Sequence, residues 1–192
     1  MISTFTVVFD SNILFSSRLT SLLMELAMSG LFRARWSAHI HDEWMKAVNE
    51  KYGIALEKLV TRRDCMDASV PDGCVAGYEE LIEPLKLPDP NDRHVLAAAI
   101  RCGASAIITF NEKDFPADVL KKYGIHTRHP DDFILEVDGV APGTLADAAR
   151  IDFSHYKNPP LSVDDYIEGF RACSLPKTAE YLNKTRVLLT ND

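Results

Sequence analysis

No stretch of this sequence approaches the ~20 consecutive apolar residues needed to span a bilayer. The first ten residues, MISTFTVVFD, contain no basic residue and reach an acid early, so no signal peptide is expected and the chain reads as cytoplasmic. Cysteine is scarce and scattered. Cys65, Cys74, Cys102 and Cys173 form no C-x-x-C pair and no ligand-like spacing, which argues against a disulfide framework or a structural zinc. The expectation is reduced thiols, three or four of them partly buried. A basic excess is missing too: 28 acids stand against 21 bases, a net charge of −7. Binding to phosphates normally leaves a basic footprint. An acidic balance is equally expected if carboxylates gather around a divalent cation, so position along the chain has to decide. There is no internal repeat and no low-complexity segment.

What is present alternates in a regular way. FTVVFD (5–10) is an apolar run rich in β-branched and aromatic residues that ends on an acid, as in a strand buried on both faces. A helical pattern from Leu19 to Met28 closes at Gly30. LFRARWS (31–37) reads as a second strand, and Ser37 is placed to cap a helix running to about Lys51. Residues 54–70 and 75–86 read as helices separated by Pro71-Asp72-Gly73. Asp89-Pro90-Asn91-Asp92 is a helix start with Asp89 at the N-cap, Pro90 at N1 and Asp92 at N3, and the helix ends at Gly103. SAIITF (105–110) is another continuous apolar strand, followed by a short helix at 116–123, a strand at 125–128 and a helix in DDFILEV. This order predicts an α/β fold: three layers, α/β/α, around a central parallel sheet of four to five strands. The composition changes after Asp138-Gly139. The reading divides the chain into a domain at 1–138 and a helical C-terminal extension at 139–192, with helices near 162–173 and 177–189.

The acids fall where such a fold does chemistry. Asp10 sits at the carboxyl end of the first strand, the edge at which open α/β sheets bind ligands. As a lone residue it could equally cap the next helix. Glu43 lies beside the apolar stripe of its helix, near Ile40, Trp44, Ala47 and Val48. A carboxylate there needs a partner or an ion, unless it reaches out to solvent. Asp92 could serve only as a helix-start residue, yet it shares the inward face of Val95 and Leu96. Asp89 is expected to act as a plain cap. Asn111 and Asp114 follow the second apolar strand and reach the same sheet edge as Asp10 if the strands are parallel neighbours; alone, they would be ordinary turn residues. A single cluster accounts for all of these acids together. Clustered carboxylates require a cation, and oxygen ligands select Mg²⁺ or Mn²⁺ over zinc. Phosphodiester hydrolysis is the natural chemistry of such a site.

Asp10-Ser11-Asn12, Glu43, Asp89-Pro90-Asn91-Asp92 with its alanine-rich helix, and IITFNEKDFP (107–116) together resemble the PIN-domain nucleases over roughly residues 5–135. The resemblance is closest to the VapC-like toxins of toxin–antitoxin pairs, and the tail KNPPLSVDDYIEGF…LPKTAEYL resembles the helical extension of a subset of them. The resemblance implies a Mg²⁺- or Mn²⁺-dependent endoribonuclease, with Asp10, Glu43 and Asp92 as metal-binding acids. Asn12 and Thr109 would support those carboxylates by hydrogen bonds. It also implies an RNA substrate, a homodimer and an antitoxin partner that buries an apolar segment in a groove and sends a basic residue to the acids. The sequence departs from the family pattern at Asn111, where many members carry Asp, so Asp114 is the nearby acid that would substitute or assist. That departure keeps open a second reading, a degenerate PIN module that binds RNA or a protein without cleaving. A haloacid-dehalogenase-type phosphatase would need an acid where Asn12 stands.

Other features read as structural. His39 and His41 point about 200° apart on a helix and cannot share one ion there. His94 is expected on a helix surface, Trp36 and Trp44 in the core or a dimer contact, and Arg62-Arg63, Lys121-Lys122 and Arg171 to Arg186 on solvated faces.

Overall fold

The computed structural model describes residues 5–190. Five parallel strands form one sheet in the order β3-β2-β1-β4-β5. β1 (Phe5–Phe9) leads through α1 (Ser11–Leu14) and α2 (Ser17–Met28) to β2 (Phe32–Ser37), which continues through α3 (Ala38–Tyr52) and α4 (Leu56–Ser69) to β3 (Cys74–Val75). The chain then crosses to the other half of the sheet by way of α5 (Arg93–Arg101). There β4 (Ala106–Ile108), α6 (Ala117–Leu120) and β5 (His126–Arg128) complete the sheet. Strand order therefore reverses between β1 and β4. Crossovers between parallel strands are right-handed as a rule, which puts helices on both faces of the sheet and gives the three layers expected. The reversal opens a crevice at the carboxyl ends of β1 and β4, where ligands of such sheets bind. Register fixes that edge: Phe9 pairs with Ile108, and the Asp10 N–H donates to the Ile108 carbonyl at 3.1 Å.

Local sequence accounts for most element ends. The Ser37 hydroxyl accepts from the Ile40 N–H at 3.2 Å and starts α3. Asp89 accepts from the Asn91 N–H at 2.8 Å and starts a 3₁₀ turn at Pro90–Asp92. The helix expected at 75–86 is not there. Cys74–Val75 pairs with Trp36–Ser37 as the edge strand, and only a 3₁₀ turn at Glu79–Leu81 follows. Gly73 is the reason: its carbonyl accepts from the Trp36 N–H at 2.9 Å, and a Cβ there would lie 2.5 Å from the indole. That close approach draws the next residues into the sheet, Gly77 at φ +70° turns the chain, and Pro84 blocks a longer helix.

The C-terminal region is richer in helix than its sequence suggested. α7 (Pro130–Val140) is followed almost at once by α8 (Thr144–Ser154), then by α9 (Val163–Ala172) and α10 (Pro176–Lys184). α8 escaped the sequence reading because its cap is not local to it: the Asp138 carboxylate on α7 accepts from the Gly143 and Leu145 N–H groups, both at 3.0 Å. α8 packs against α2 and α7, so the extension shares its core with the sheet domain. Phe133 of α7 sets its ring edge-on to Phe32, Phe9 and Phe5 with centroids 5.0, 6.4 and 6.3 Å away. Trp36 and Trp44 are buried, as expected. All four cysteines are free thiols, but only Cys102 and Cys173 are partly buried, while Cys65 and Cys74 are exposed. Among the described residues no helix is long and apolar enough to cross a membrane.

Candidate active site

Asp10 ends β1 and is almost fully buried, at 4% exposure. Its side chain is held from both sides. The Ser11 N–H donates to Oδ1 at 2.7 Å, while Asn12 Nδ2 at 2.6 Å and Thr109 Oγ1 at 2.7 Å both donate to Oδ2. Asn12 also donates to Thr109 Oγ1 at 3.0 Å, and its Oδ1 accepts from the Phe110 N–H at 3.2 Å. Thr109 in turn accepts from the Asn111 N–H at 2.9 Å. The carboxyl ends of β1 and β4 are thus laced together around a single carboxylate. Burial raises the pKa of Asp10 and the charge of Glu43 adds to that, against the hydrogen bonds from Thr109 and Ser11, which lower it.

Glu43 comes from α3 and is oriented by a residue that the sequence placed on the surface. His94 is 2% exposed, and its Nε2 donates to Glu43 Oε1 at 2.9 Å, because an ionised carboxylate can only accept. Every residue from His94 to Ala99 on α5 is buried, since the helix lies across β1, β2 and β4 and buries even its polar flank. Burial works to raise the Glu43 carboxyl, but the hydrogen bond and charge of His94, with Ser11 and His39, outweigh it and hold the pKa below its ordinary value. His39 stacks on His94 with ring centroids 3.8 Å apart and planes at 21°. One ligand atom from each of His39, Glu43 and His94 lies within 4.8 Å of the others. The two rings are nearly parallel, so their in-plane lone pairs run side by side rather than converging on one ion. The stack therefore buttresses Glu43. His41 points away, as the helical geometry requires, and packs between Trp36 and Trp44 with a contact to Asp67 at 3.2 Å.

Asp92 closes the 3₁₀ turn ahead of α5, and its side chain makes no capping bond. The cap is Asp89, so the Asp92 carboxyl is free to face the other acids. Burial, followed by the charges of Asp10, Asp89, Asp114 and Glu43, pushes its pKa up to about 7. Of these acids, Asp10, Glu43 and Asp114 come from parts of the chain far from Asp92 in sequence. Asn111 and Asp114 are joined directly, the Asn111 amide donating to Asp114 Oδ2.

This repulsion has a measurable consequence. A carboxyl whose folded pKa exceeds its ordinary 3.8 favours the native state at low pH and loses that contribution as pH rises from about 4 to about 7. Cation-free protein should therefore melt lower at pH 7.5 than at pH 5, and Asp92→Asn should flatten the decline. Solvent screening of the half-buried group limits the effect to on the order of 1 kcal/mol, a few degrees of Tm. Equal declines in both proteins would detach Asp92 from the cluster.

The comparisons agree with this architecture. Residues 6–113 match the family profile described as PIN domain, and residues 130–184 match the one described as VapC50 C-terminal domain. Over 72 residues the chain is 47% identical to a Mycobacterium tuberculosis protein named "Putative ribonuclease VapC50"; the alignment covers 35% of this chain and 42% of that protein. This chain thus spans less than half the length of the curated relative it matches. No solved structure matches it. With the PIN profile covering more than half of the residues, and with the parallel sheet that carries Asp10 at its strand-order reversal, the chain belongs to the PIN-domain family and bears a C-terminal domain of the VapC50 type.

Proposed function

We propose that this chain is a divalent-metal-dependent endoribonuclease, the toxin of a toxin–antitoxin pair. The observation that carries the reading is the buried Asp10 carboxylate at the strand-order reversal, held by Ser11, Asn12 and Thr109, with the acids Glu43, Asp92 and Asp114 whose charges act together there. An all-oxygen set of this kind is ill-suited to standing empty and fits Mg²⁺ or Mn²⁺. Asp10, Glu43 and Asp92 would hold the ion, with Asp114 as the fourth acid and Asn111 steering it. A bound divalent cation would neutralise charge developing on the phosphate oxygens. The residues of the chain do the remaining work: Asn12 and Thr109 fix the Asp10 carboxylate, Asp89 caps the turn that presents Asp92, and the cluster accepts the proton of the attacking water. The relative's printed name, a ribonuclease, supports RNA as the substrate. The reading extends to a cytoplasmic homodimer, an antitoxin partner, and a chain divided into a nuclease domain at 1–138 and an extension at 139–192.

The direct test is cleavage of single-stranded RNA by purified protein with Mn²⁺ or Mg²⁺, abolished by EDTA. No cleavage under any cation would leave the non-cleaving module. His94 supplies a finer prediction. His94→Ala should lower cleavage by about tenfold to a hundredfold, as loss of the group that orients a metal-binding side chain does. His94→Gln, which can still donate to Glu43, should recover part of it. Full activity in His94→Ala would remove the pair from the site.

A further inference from the structure

We propose that the cleft beside the acid cluster is the track for single-stranded RNA, and that the turn between α9 and α10 of the C-terminal extension forms one of its walls. The inference rests on the nuclease reading of the acid site and names how that site receives its strand. The cleft encloses about 850 Å³ and begins at Asn12, the residue whose amide donates to Asp10 at 2.6 Å. From there it runs between the end of α3 with the start of α4 on one side and Ala172–Ser174 of the extension on the other.

Its chemistry is unlike that of the rest of the chain. In a protein with 28 acids and 21 bases, no Asp or Glu stands among the described residues that line it. Lys51 and Lys58 are exposed on its rim and belong to no ion pair among the described residues. Arg62 is not available: it is half-buried against Trp44, with its guanidinium 4.5 Å from the ring, and donates to the Thr20 hydroxyl and the Leu14 and Ser16 carbonyls. Two aromatic pairs line the same walls. Phe15 and Tyr52 lie 5.6 Å apart with the Lys51 ammonium over both rings at 5.1 and 5.5 Å, and Tyr52 is 59% exposed. Phe110 and His129 meet edge-on at 5.2 Å. An exposed tyrosine ring flanked by two lysines that lack carboxylate partners suits an unpaired base and its phosphates, and duplex RNA cannot present its bases to such a ring. A peptide helix would find the apolar walls but no acid to pair with a basic residue inside the cleft, so the charge favours the polyanion.

The test uses the full chain in EDTA, where no cleavage occurs, and a fluorescent 12-nucleotide oligouridine followed by anisotropy across salt concentrations. Tyr52→Ala should weaken binding about fivefold or more, the loss of one stacked base. The pair Lys51→Ala/Lys58→Ala should reduce the slope of log affinity against log salt by about 1.4, two phosphates at 0.7 each. Lys121→Ala/Lys122→Ala, away from the cleft, should change neither. Bound oligouridine should also slow alkylation of half-buried Cys173 while exposed Cys65 reacts at its usual rate. Unchanged affinity and slope in both cleft variants would overturn the track, and an unprotected Cys173 would overturn the role of the extension. A third outcome would reassign the cleft to a protein: a synthetic leucine-rich helical peptide ending in arginine that binds wild type but not the cleft variants, while oligouridine binds all of them equally. Wild type that binds through the cleft yet never cleaves with Mn²⁺ would instead sink the nuclease reading and leave the track standing.

Discussion

Asp10→Asn should lower the proposed Mn²⁺-dependent RNA cleavage by at least about a thousandfold, equivalent to roughly 4 kcal/mol of transition-state stabilisation. The substitution keeps the shape of the side chain and removes one charge from the most buried of the site acids. Both carboxylate oxygens already accept from the chain, from Ser11 on one side and from Asn12 and Thr109 on the other. An amide in that place must turn its NH₂ toward at least one of those donors, which costs about 1 kcal/mol. Removal of a buried charge facing Glu43 and Asp92 acts in the opposite sense. Stability should consequently move by less than about 1 kcal/mol while activity collapses, and that contrast separates a site residue from a structural one. Single-turnover cleavage of a labelled RNA alongside thermal melts gives both numbers. Retention of more than a tenth of wild-type activity would remove Asp10 from the chemistry.

Phe133→Ala should destabilise the fold by about 3–5 kcal/mol and lower Tm by roughly 10 °C. The ring is buried at 1% exposure and is the point at which α7 meets the aromatic side chains of β1 and β2. Truncation leaves a cavity facing Phe5, Phe9 and Phe32, on strands whose register the rest of the sheet holds in place. Collapse around it is therefore limited. Phe133→Leu should lose much less, because most of the volume remains. Urea denaturation measures both, and cleavage assayed well below the melting point should persist in each. A loss below about 1 kcal/mol for the alanine variant would mean that α7 is not part of the folding core.

Much of the candidate acid site was legible in the sequence, for local reasons. Asp10 ends an apolar run, and Asp89 and Asp92 stand in a helix start that separates a capping acid from a free one. The extension's last two helices and the first two crossovers follow from patterns that repeat every few residues. Other features depended on distant partners. The segment after Gly73 looked helical by period but became an edge strand, because the Trp36 backbone and indole lie against that glycine. α8 lacked a local cap and took Asp138 instead. His94 looked like a surface histidine, yet three strands lie beneath its helix and Glu43, 51 residues earlier, accepts its hydrogen bond.

By itself the sequence determined which acids the chain owns, their order, and the strand ends and helix starts on which they stand. These are set by hydrogen bonds and periodicities that reach only a few residues. The tertiary structure alone decided that the strand order reverses between β1 and β4, and that α5 and the 3₁₀ turn ahead of it bring His94 to Glu43 and Asp92 under the charge of Asp10. It also paired Asn111 with Asp114. Burial and mutual charge, which exist only once these elements are packed, are what raise the Asp10 and Asp92 carboxyls above their ordinary values.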